Sequence, residues 1–426
     1  MRSCADSIVR GYIELAWALD RHIPGYVDSY YGPAEWREQA GARGIRPLTE
    51  LAQDASHLAA AIAGSPGLEP QRRDFLARQV GAMRTSLAIL QGEVLSLAQE
   101  AEALYDVAPA WVPEASFEEA HRRLDALLPP GGSLAARLAA RRQAVAVPVD
   151  RARQLVPFVG AYLRGLTRQR FPLPVDESFE VSFVSNQLWS GYNRYLGGHR
   201  SRIDINTDFP LEVSDLTDLI AHEGYPGHHT ELAIKEARLV EERGWAEHSI
   251  NLMNAPSCAI AEGIASSALD VLMSEQEQIA WQAEELFPRA GFGHLDARRE
   301  QAIEAARRRL QAVSGNAAFM LHDRGASRDE ALAYLQRYGL LAEDKARKTV
   351  DFLSSPLYRS YTFNYHCGRE LVSALLASKP DPDRWFTRLL SEPVTPGQIR
   401  SWIECPAGPD CPASCQTVLG PSQTPV

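Results

Sequence analysis

The spacing of apolar residues along the chain predicts a mainly helical protein. In residues 5–22 the side chains of Ile8, Ile13, Leu15 and Leu19 recur with the helical period. The same period, interrupted by Pro- and Gly-rich breaks, predicts further helices. Their approximate bounds are 48–63, 69–103, 117–128, 133–145, 149–169, 214–223, 228–243, 245–253, 256–273, 275–286, 294–322, 328–337, 342–354, 363–378, 382–391 and 395–403.

A short stretch in the middle of the chain follows the strand period instead. Residues 178–184 alternate apolar and polar side chains, and residues 201–207 do the same. The turn signal Gly197-Gly198 lies between the two segments. We therefore expect one small antiparallel sheet over about residues 178–208, just before the densest group of histidines.

This pattern divides the chain into three regions. Residues 1–172 are predicted to be helical throughout, and residues 173–403 combine the small sheet with further helices. We expect these two regions to form one continuous domain. Residues 404–426 form a tail that is rich in proline and contains three cysteines.

Composition and charge narrow the possible functions. Hydrophobic residues make up 45% and charged residues 23% of the 426 residues, as in an ordinary globular protein. The formal net charge of -10 argues against a nucleic-acid partner, which would need a basic surface. No apolar run approaches the ~20 residues of a membrane span, and no secretory signal is visible near the N-terminus. We expect a cytoplasmic protein with no membrane partner.

The tail cysteines Cys405, Cys411 and Cys415 leave two interpretations open. Their spacing differs from the paired Cys-x-x-Cys of common zinc sites, and no fourth ligand is evident. The tail is therefore either a second metal site or a loose segment. The other three cysteines are scattered, and we expect them to be free thiols.

Candidate chemistry concentrates in one segment, where His222, His228 and His229 lie close to Glu223. A helix with the pattern His-Glu-x-x-His places two zinc ligands one turn apart and uses the glutamate as a base. Here Pro226 stands where the second histidine of that pattern would fall. The segment therefore departs from the usual helical zinc motif.

Backbone geometry leaves the second ligand of this segment undecided. In an unbroken helix His228 would lie ~9 Å and His229 ~10.5 Å along the axis from His222, too far apart to share one metal. Pro226 must break the helix, and glycines on either side of it permit a bulge that returns His228 to a ligand position. Alternatively, the Pro-Gly pair simply ends a helix, and the histidines are surface or capping residues.

A second candidate ligand, Glu262, lies in the strongly apolar predicted helix 256–273. Burying a carboxylate among apolar side chains is costly unless the carboxylate is paired or binds a metal. A structural ion pair is the alternative interpretation of Glu262.

The two segments together resemble a known family. The stretch Ala221–His229 resembles the signature His-Glu-x-x-Pro-Gly-His of the bacterial "domain of unknown function 885" family, whose second motif is Glu-Gly-Trp-Ala. The second motif is matched here by Glu262–Ala265. The family is similar in fold to the helical zinc carboxypeptidases of the thermostable bacterial type. The resemblance extends over roughly residues 5–403.

The resemblance implies a site and a fold. It implies that His222, His228 and Glu262 bind one zinc ion per chain, that Glu223 is the catalytic base, and that His229 lines the pocket or supports the ligands. It also implies a mainly α, multi-helix, zincin-like metallopeptidase fold with one small antiparallel sheet before the metal-binding helix. Three ligands would leave a fourth position for water, as in catalytic zinc sites.

The chain also departs from the family pattern near its second motif. Ile264 stands where tryptophan is usual, Ser266 and Ser267 replace Leu-Tyr, and Leu269 stands where an acid is common. These changes bear on the shape of the pocket and therefore on the substrate.

Other residues are candidates for contacts with a substrate. The strand that contains Arg202 is either a sheet edge that binds an extended peptide or part of an ordinary hairpin. Tyr365, which matches the family's Tyr-x-x-Gly, is the preferred donor to a developing oxyanion. Tyr361 and His366 compete with it for that role, and Arg369 is a candidate for binding a substrate carboxylate.

Three functional hypotheses follow from these residues. The first is a zinc metallopeptidase, carboxypeptidase-like or dipeptidase-like, that cleaves short peptides with a water activated by Glu223. The second is a zinc hydrolase of another amide or ester, because the fold does not fix the substrate. The third is a non-catalytic helical binding protein with a vestigial metal site.

Overall fold

Helices account for most of the chain, which confirms the prediction of a mainly α protein; the computed structural model describes residues 4–404. The first helices are α1 (Cys4–Asp20), α2 (Ala34–Ala42), α3 (Leu48–Ala63), α4 (Pro70–Leu90), α5 (Leu97–Tyr105), α6 (Glu114–Leu127), α7 (Leu134–Ala144) and α8 (Val149–Arg170). The later helices are α9 (Leu216–Glu223), α10 (His228–Lys235), α11 (Pro256–Leu272), α12 (Glu275–Trp281), α13 (Phe287–Ala290), α14 (Ala297–Arg308), α15 (Val313–His322), α16 (Arg328–Gly339), α17 (Glu343–Ser354), α18 (Phe363–Ala377), α19 (Pro382–Ser391) and α20 (Pro396–Glu404).

Several helix starts follow directly from short sequence signals. Before α5, the Ser96 side chain accepts a hydrogen bond from the Gln99 backbone, while the Gln99 side chain binds the Ser96 N–H. This capping box begins a new helix and divides the predicted helix 69–103 into α4 and α5. Ser274 and Glu277 form the same motif at the start of α12.

The strands form three small sheets rather than one. They are β1 (Val27–Tyr30), β2 (Ala146–Val147), β3 (Ser178–Val184), β4 (Gly191–Tyr195), β5 (Arg200–Asn206), β6 (Leu211–Glu212) and β7 (Ile250–Leu252). β1 pairs with β7 and β2 with β6, both in antiparallel orientation. The predicted helix 245–253 is therefore wrong: a 3₁₀ turn, Ala246–Ser249, leads into β7.

The three-stranded sheet also differs from the expected antiparallel pair. Its strand order is β3-β5-β4, with β3 parallel and β4 antiparallel to β5. The turn at Gly197-Gly198, where both glycines have positive φ, closes a hairpin between β4 and β5. Because that turn joins β5 to the unpredicted strand β4 rather than to β3, β3 pairs with β5 in parallel register.

Three hydrophobic clusters fill the interior, and each of them combines residues from before and after residue 172. The second cluster contains Leu104 and Phe363, and the third contains Ile13 and Leu252. In the first cluster the three-stranded sheet packs against α8, α9 and α11 through the buried residues Val159, Ile203, Ile205, Ile220 and Ile264.

Helix α11 lies at the junction of two of these clusters. It contributes Ile260 to the first cluster and Ala259 to the second. It also crosses α18 closely, since a Cβ on Gly263 would lie 2.5 Å from the carbonyl oxygen of Gly368. Any larger residue at this crossing would push the two helices apart. Contacts with α18 and with both hydrophobic clusters therefore fix the position of α11.

Within residues 4–404, no single helix is long and apolar enough to cross a membrane. One bent pair, Pro256–Leu272 with Glu275–Ala290, reaches the required length and composition only when its two helices are taken together across a 74° bend. The tail cysteines Cys405, Cys411 and Cys415 lie outside the described residues.

Candidate metal centre

The histidine segment contains a tight turn that separates α9 from α10. The peptide bond before Pro226 is cis, and the N–H of Gly227 donates to the carbonyl of Ala221 at 2.9 Å. A Cβ on Gly227 would lie 1.9 Å from the carbonyl oxygen of His222, so only glycine fits this turn. The turn brings His228 beside His222, with ring centroids 4.9 Å apart and ring planes at 87°.

Glu262 on α11 faces both of these imidazoles. The distance from His222 Nε2 to Glu262 Oε2 is 3.6 Å, and from His228 Nε2 to Glu262 Oε1 it is 3.9 Å. One ligand atom from each of the three residues lies within 4.8 Å of the other two. The structure thus brings together the three residues that the resemblance implied as ligands.

The surroundings of these three residues fit a bound cation. Glu262 Oε2 is buried and has no hydrogen-bond partner within residues 4–404, although such atoms are normally satisfied. The other oxygen, Oε1, accepts a hydrogen bond of 2.7 Å from the hydroxyl of Tyr361. Two imidazoles and one carboxylate are the donor set of many catalytic zinc sites.

Burial sets the protonation preferences of the site. It lowers the pKa of His222 well below its ordinary value and the pKa of His228 to about 4, so both rings are neutral and able to bind a metal. Burial also raises the pKa of Glu262 to about 8. A buried carboxylate in this position needs a nearby positive charge to stay ionised at neutral pH.

Glu223 lies next to the three ligand candidates, at the last position of α9. Burial, followed by the charge on Glu262, raises the pKa of Glu223 to about 8. Asn193 of β4 holds the end of the helix, because its side-chain amide donates to the Glu223 carbonyl at 2.7 Å. Gly191 of the same strand leaves room for the carboxylate, since a Cβ there would lie 2.8 Å from Glu223 Oε1.

The two tyrosines on the facing segment occupy different positions. Tyr361 is buried and donates to Glu262, so it supports a ligand candidate, and it does not line the cavity beside Glu223. Tyr365 is 37% exposed and lines a cavity together with His222 and Glu223. Although part of the side chain is exposed, desolvation of the hydroxyl, followed by the charges on Glu262 and Glu223, raises the pKa of Tyr365 well above its ordinary value. The Tyr365 hydroxyl therefore stays protonated and can donate a hydrogen bond.

His229 does not line this cavity, so of its two expected roles the structure favours support of the site over pocket lining. Its ring is fully buried, with Nδ1 2.8 Å from Ser201 Oγ and Nε2 3.0 Å from Glu177 Oε2. Glu177 also accepts hydrogen bonds from Tyr225 at 2.5 Å and from Arg164 at 2.6 Å. The side chains on either side of the Pro-Gly turn are therefore anchored to one buried carboxylate.

Of the two interpretations of the strand that contains Arg202, the structure shows the hairpin and not the free sheet edge. β5 lies between β3 and β4 and is paired on both sides, and Arg202 Nε donates to Asp204 at 2.9 Å. β4 is the edge strand nearest the candidate site, and the carbonyl of Ser190, which directly precedes β4, accepts a hydrogen bond from the N–H of Asn206 on β5. Antiparallel alternation then turns the peptide groups of Gly191 away from β5.

A cavity of about 580 Å³ runs past the site, and Arg369 and His366 lie on its wall. Arg369 donates to Asp270 at 2.5 Å, and Arg308 lies 3.5 Å from Asp270 and 3.3 Å from Asp218. These cations are already balanced by carboxylates. Arg369 therefore differs from the unpaired arginine expected of a dedicated carboxylate clamp.

A second group of carboxylates, Glu212, Asp215 and Glu304, lies at another part of the same cavity. Arg307 contacts Glu304 at 2.6 Å and Glu212 at 2.9 Å, and Arg141 also binds Glu212. Arginines already supply the positive charge that these carboxylates need. This group is therefore an ion-pair network rather than a candidate metal site.

The sequence did not reveal the roles of Glu177, which binds His229, and Asn193, which binds the carbonyl of Glu223. Glu177 precedes a strand and Asn193 lies on one, and no local pattern marks either residue. Their partners lie 52 and 30 residues away along the chain. Only the folded arrangement shows these roles.

Comparison with known proteins adds little to this geometry. No protein-family model matches the chain, and no curated protein matches it. One solved structure that it resembles is "the putative lipoprotein from Colwellia psychrerythraea", at 16% sequence identity and a TM-score of 0.49. The match covers 87% of this chain and 72% of that one.

Proposed function

We propose that this chain is a zinc-dependent hydrolase, and specifically a metallopeptidase that cleaves short peptides. The observation that carries the proposal is the convergence of His222, His228 and the unpartnered carboxylate of Glu262, with Glu223 beside them. Two neutral imidazoles and a carboxylate suit zinc. An adjacent carboxyl group with a pKa of about 8 suits general acid–base work near neutral pH.

Each residue has a definite part in this chemistry. A zinc ion held by the three ligands would polarise the substrate carbonyl and acidify a water molecule. Glu223 accepts a proton from the attacking water as the C–O bond forms, and it delivers that proton to the amine nitrogen as the C–N bond breaks. Tyr365 donates its hydroxyl proton in a hydrogen bond to the carbonyl oxygen while negative charge develops there.

The edge strand β4 favours a peptide over another amide or ester. Gly191 lies beside Glu223, and its peptide groups point away from β5, the direction from which an extended chain pairs with a sheet edge. A non-peptide amide or ester would use the same catalytic residues without needing this strand. A non-catalytic binding protein would need neither Glu223 nor Tyr365.

The first experiment measures zinc in the purified protein by mass spectrometry. We expect about one zinc per chain, lost in His228→Ala and kept in His366→Ala, which removes a histidine from the same cavity wall. A wild-type chain that stays free of zinc after incubation with zinc would refute the proposed metal site.

The second experiment tests catalysis with a series of short peptides. Glu223→Gln should keep its zinc while kcat falls by about 10²- to 10⁴-fold, because the general base is lost. Zinc-loaded protein that cleaves amides or esters but no peptide would support the broader hydrolase alternative. Turnover of neither class would favour the binding-protein alternative.

A further inference from the structure

Asp28 occupies an irregular position in the small sheet formed by β1 and β7. Val27 lies opposite Leu252 and Ser29 opposite Asn251, so Asp28 is an extra residue with no partner across the ladder. Such a bulge bends its strand and changes the direction of a side chain, and bulges are frequent beside functional sites. The half-buried Asp28 is therefore placed differently from its neighbours on the strand.

The carboxylate of Asp28 has little compensation from the protein. One oxygen, Oδ1, accepts a hydrogen bond from the hydroxyl of Tyr192 on β4. No hydrogen bond reaches Oδ2, and no ion pair forms, within the part of the chain that the structure describes. The nearby cation Arg194 is directed to Asp204, 3.7 Å away. Burial raises the pKa of Asp28, although Tyr192 and Arg194 partly offset that effect.

Asp28 is connected to the edge strand β4 by a hydrogen bond. Its hydrogen-bond partner Tyr192 follows Gly191, the residue of β4 that contacts Glu223. The carboxylate therefore lies beside the edge strand proposed to bind an extended substrate.

We propose that Asp28 binds the free N-terminal ammonium group of a short peptide that lies along β4. This inference rests on the proposed peptidase function and specifies which end of the substrate is recognised. An ammonium group has three donors and one positive charge, which complement Oδ2 and the charge of Asp28, for which the described residues form no ion pair. Arg369 and Arg308, two of the cations on the cavity wall, already pair with Asp270.

The test measures binding separately from turnover. Trialanine and N-acetyltrialanine are titrated by calorimetry into the zinc-loaded Glu223→Gln protein, with and without Asp28→Asn. Acetylation removes the positive charge, so we expect affinity for the acetylated peptide to be roughly 10- to 100-fold lower when Asp28 is present. Asp28→Asn should reduce this preference to about twofold or less, mainly by weakening binding of the free peptide.

Two further variants keep this test decisive. Asp329→Asn removes an exposed carboxylate from α16 and should leave the preference unchanged. Tyr192→Phe keeps the ring but removes the hydrogen bond to Asp28, so we expect an intermediate preference even if Asp28→Asn does not fold. Unchanged preference in both Asp28→Asn and Tyr192→Phe would overturn the inference.

Failure of the inference about Asp28 can be distinguished from failure of the proposed peptidase function. If wild-type protein cleaves free and acetylated peptides equally well, the peptidase proposal stands and the role of Asp28 is refuted. If no peptide is cleaved but binding still requires the free amine and Asp28, the recognition site stands and the catalytic proposal fails.

Discussion

The hydrogen bond from Tyr361 to Glu262 provides a quantitative test of the metal centre. Tyr361→Phe removes only the hydroxyl that lies 2.7 Å from Glu262 Oε1 and keeps the buried ring. A hydrogen bond to an ionised group contributes about 1.5–3 kcal/mol. Groups that orient metal ligands typically change metal affinity by about 10- to 100-fold when they are removed. We therefore expect the zinc dissociation constant of Tyr361→Phe to rise by a factor in that range.

The assay is a zinc titration in competition with a chelator of known affinity. Tyr358→Phe is the matched control, because Tyr358 packs at 6.3 Å from the Tyr361 ring and has no hydrogen bond to Glu262. Circular dichroism of the metal-free proteins checks that both variants fold. Equal zinc affinity in wild type and Tyr361→Phe would show that the Tyr361 hydroxyl does not orient a metal ligand, and the supporting role given to Tyr361 would be refuted.

Three other substitutions test the framework of the site. Gly227→Ala should abolish zinc binding, measured by metal content, because its Cβ would lie 1.9 Å from the His222 carbonyl oxygen; retained zinc would contradict the tight turn. Gly263→Ala should destabilise the fold by about 1–3 kcal/mol in urea denaturation, since its Cβ would meet the Gly368 carbonyl at 2.5 Å; an unchanged midpoint would contradict the close helix crossing. Burial tends to raise the pKa of Glu177, but hydrogen bonds from His229, Tyr225 and Arg164 outweigh it and lower that pKa below 4.5. The ionised Glu177 thus stabilises the fold above pH 4.5, and this contribution is lost as the pH falls through its lower folded-state pKa. Glu177→Gln should reduce the dependence of unfolding free energy on pH in that acidic window; an unchanged slope would refute the assignment.

Local sequence patterns predicted the parts of this molecule that depend on neighbouring residues. The predicted bounds 48–63 and 178–184 coincide with α3 and β3, because helical and strand periods are read directly from side-chain spacing. The break at Pro226 was also predictable, since proline cannot continue a helix. Backbone rules alone did not choose between His228 and His229, and the choice rested on family resemblance.

The remaining features depend on contacts between distant segments. β4 is short and its alternation is weak, so the sequence pattern did not reveal that β5 would lie between two strands. The sequence left the role of His229 open between pocket lining and support, because its partners Glu177 and Ser201 reach it only after the sheet has packed on α9 and α10. The position of Asp28 could not be predicted from the sequence, because it arises from the register between two strands more than 200 residues apart.

The placement of α11 has a consequence for how the protein responds to zinc. Ile260 and Ala259 belong to different hydrophobic clusters, and both lie on α11 with Glu262. The helix that carries Glu262 therefore packs in both clusters. A ligand that binds only the folded state adds about 4 kcal/mol to the unfolding free energy when its concentration is a thousand times its dissociation constant. That added stability would be shared by both clusters. Calorimetry of the zinc-loaded chain should therefore show one cooperative transition moving to higher temperature, rather than one cluster melting while the other persists.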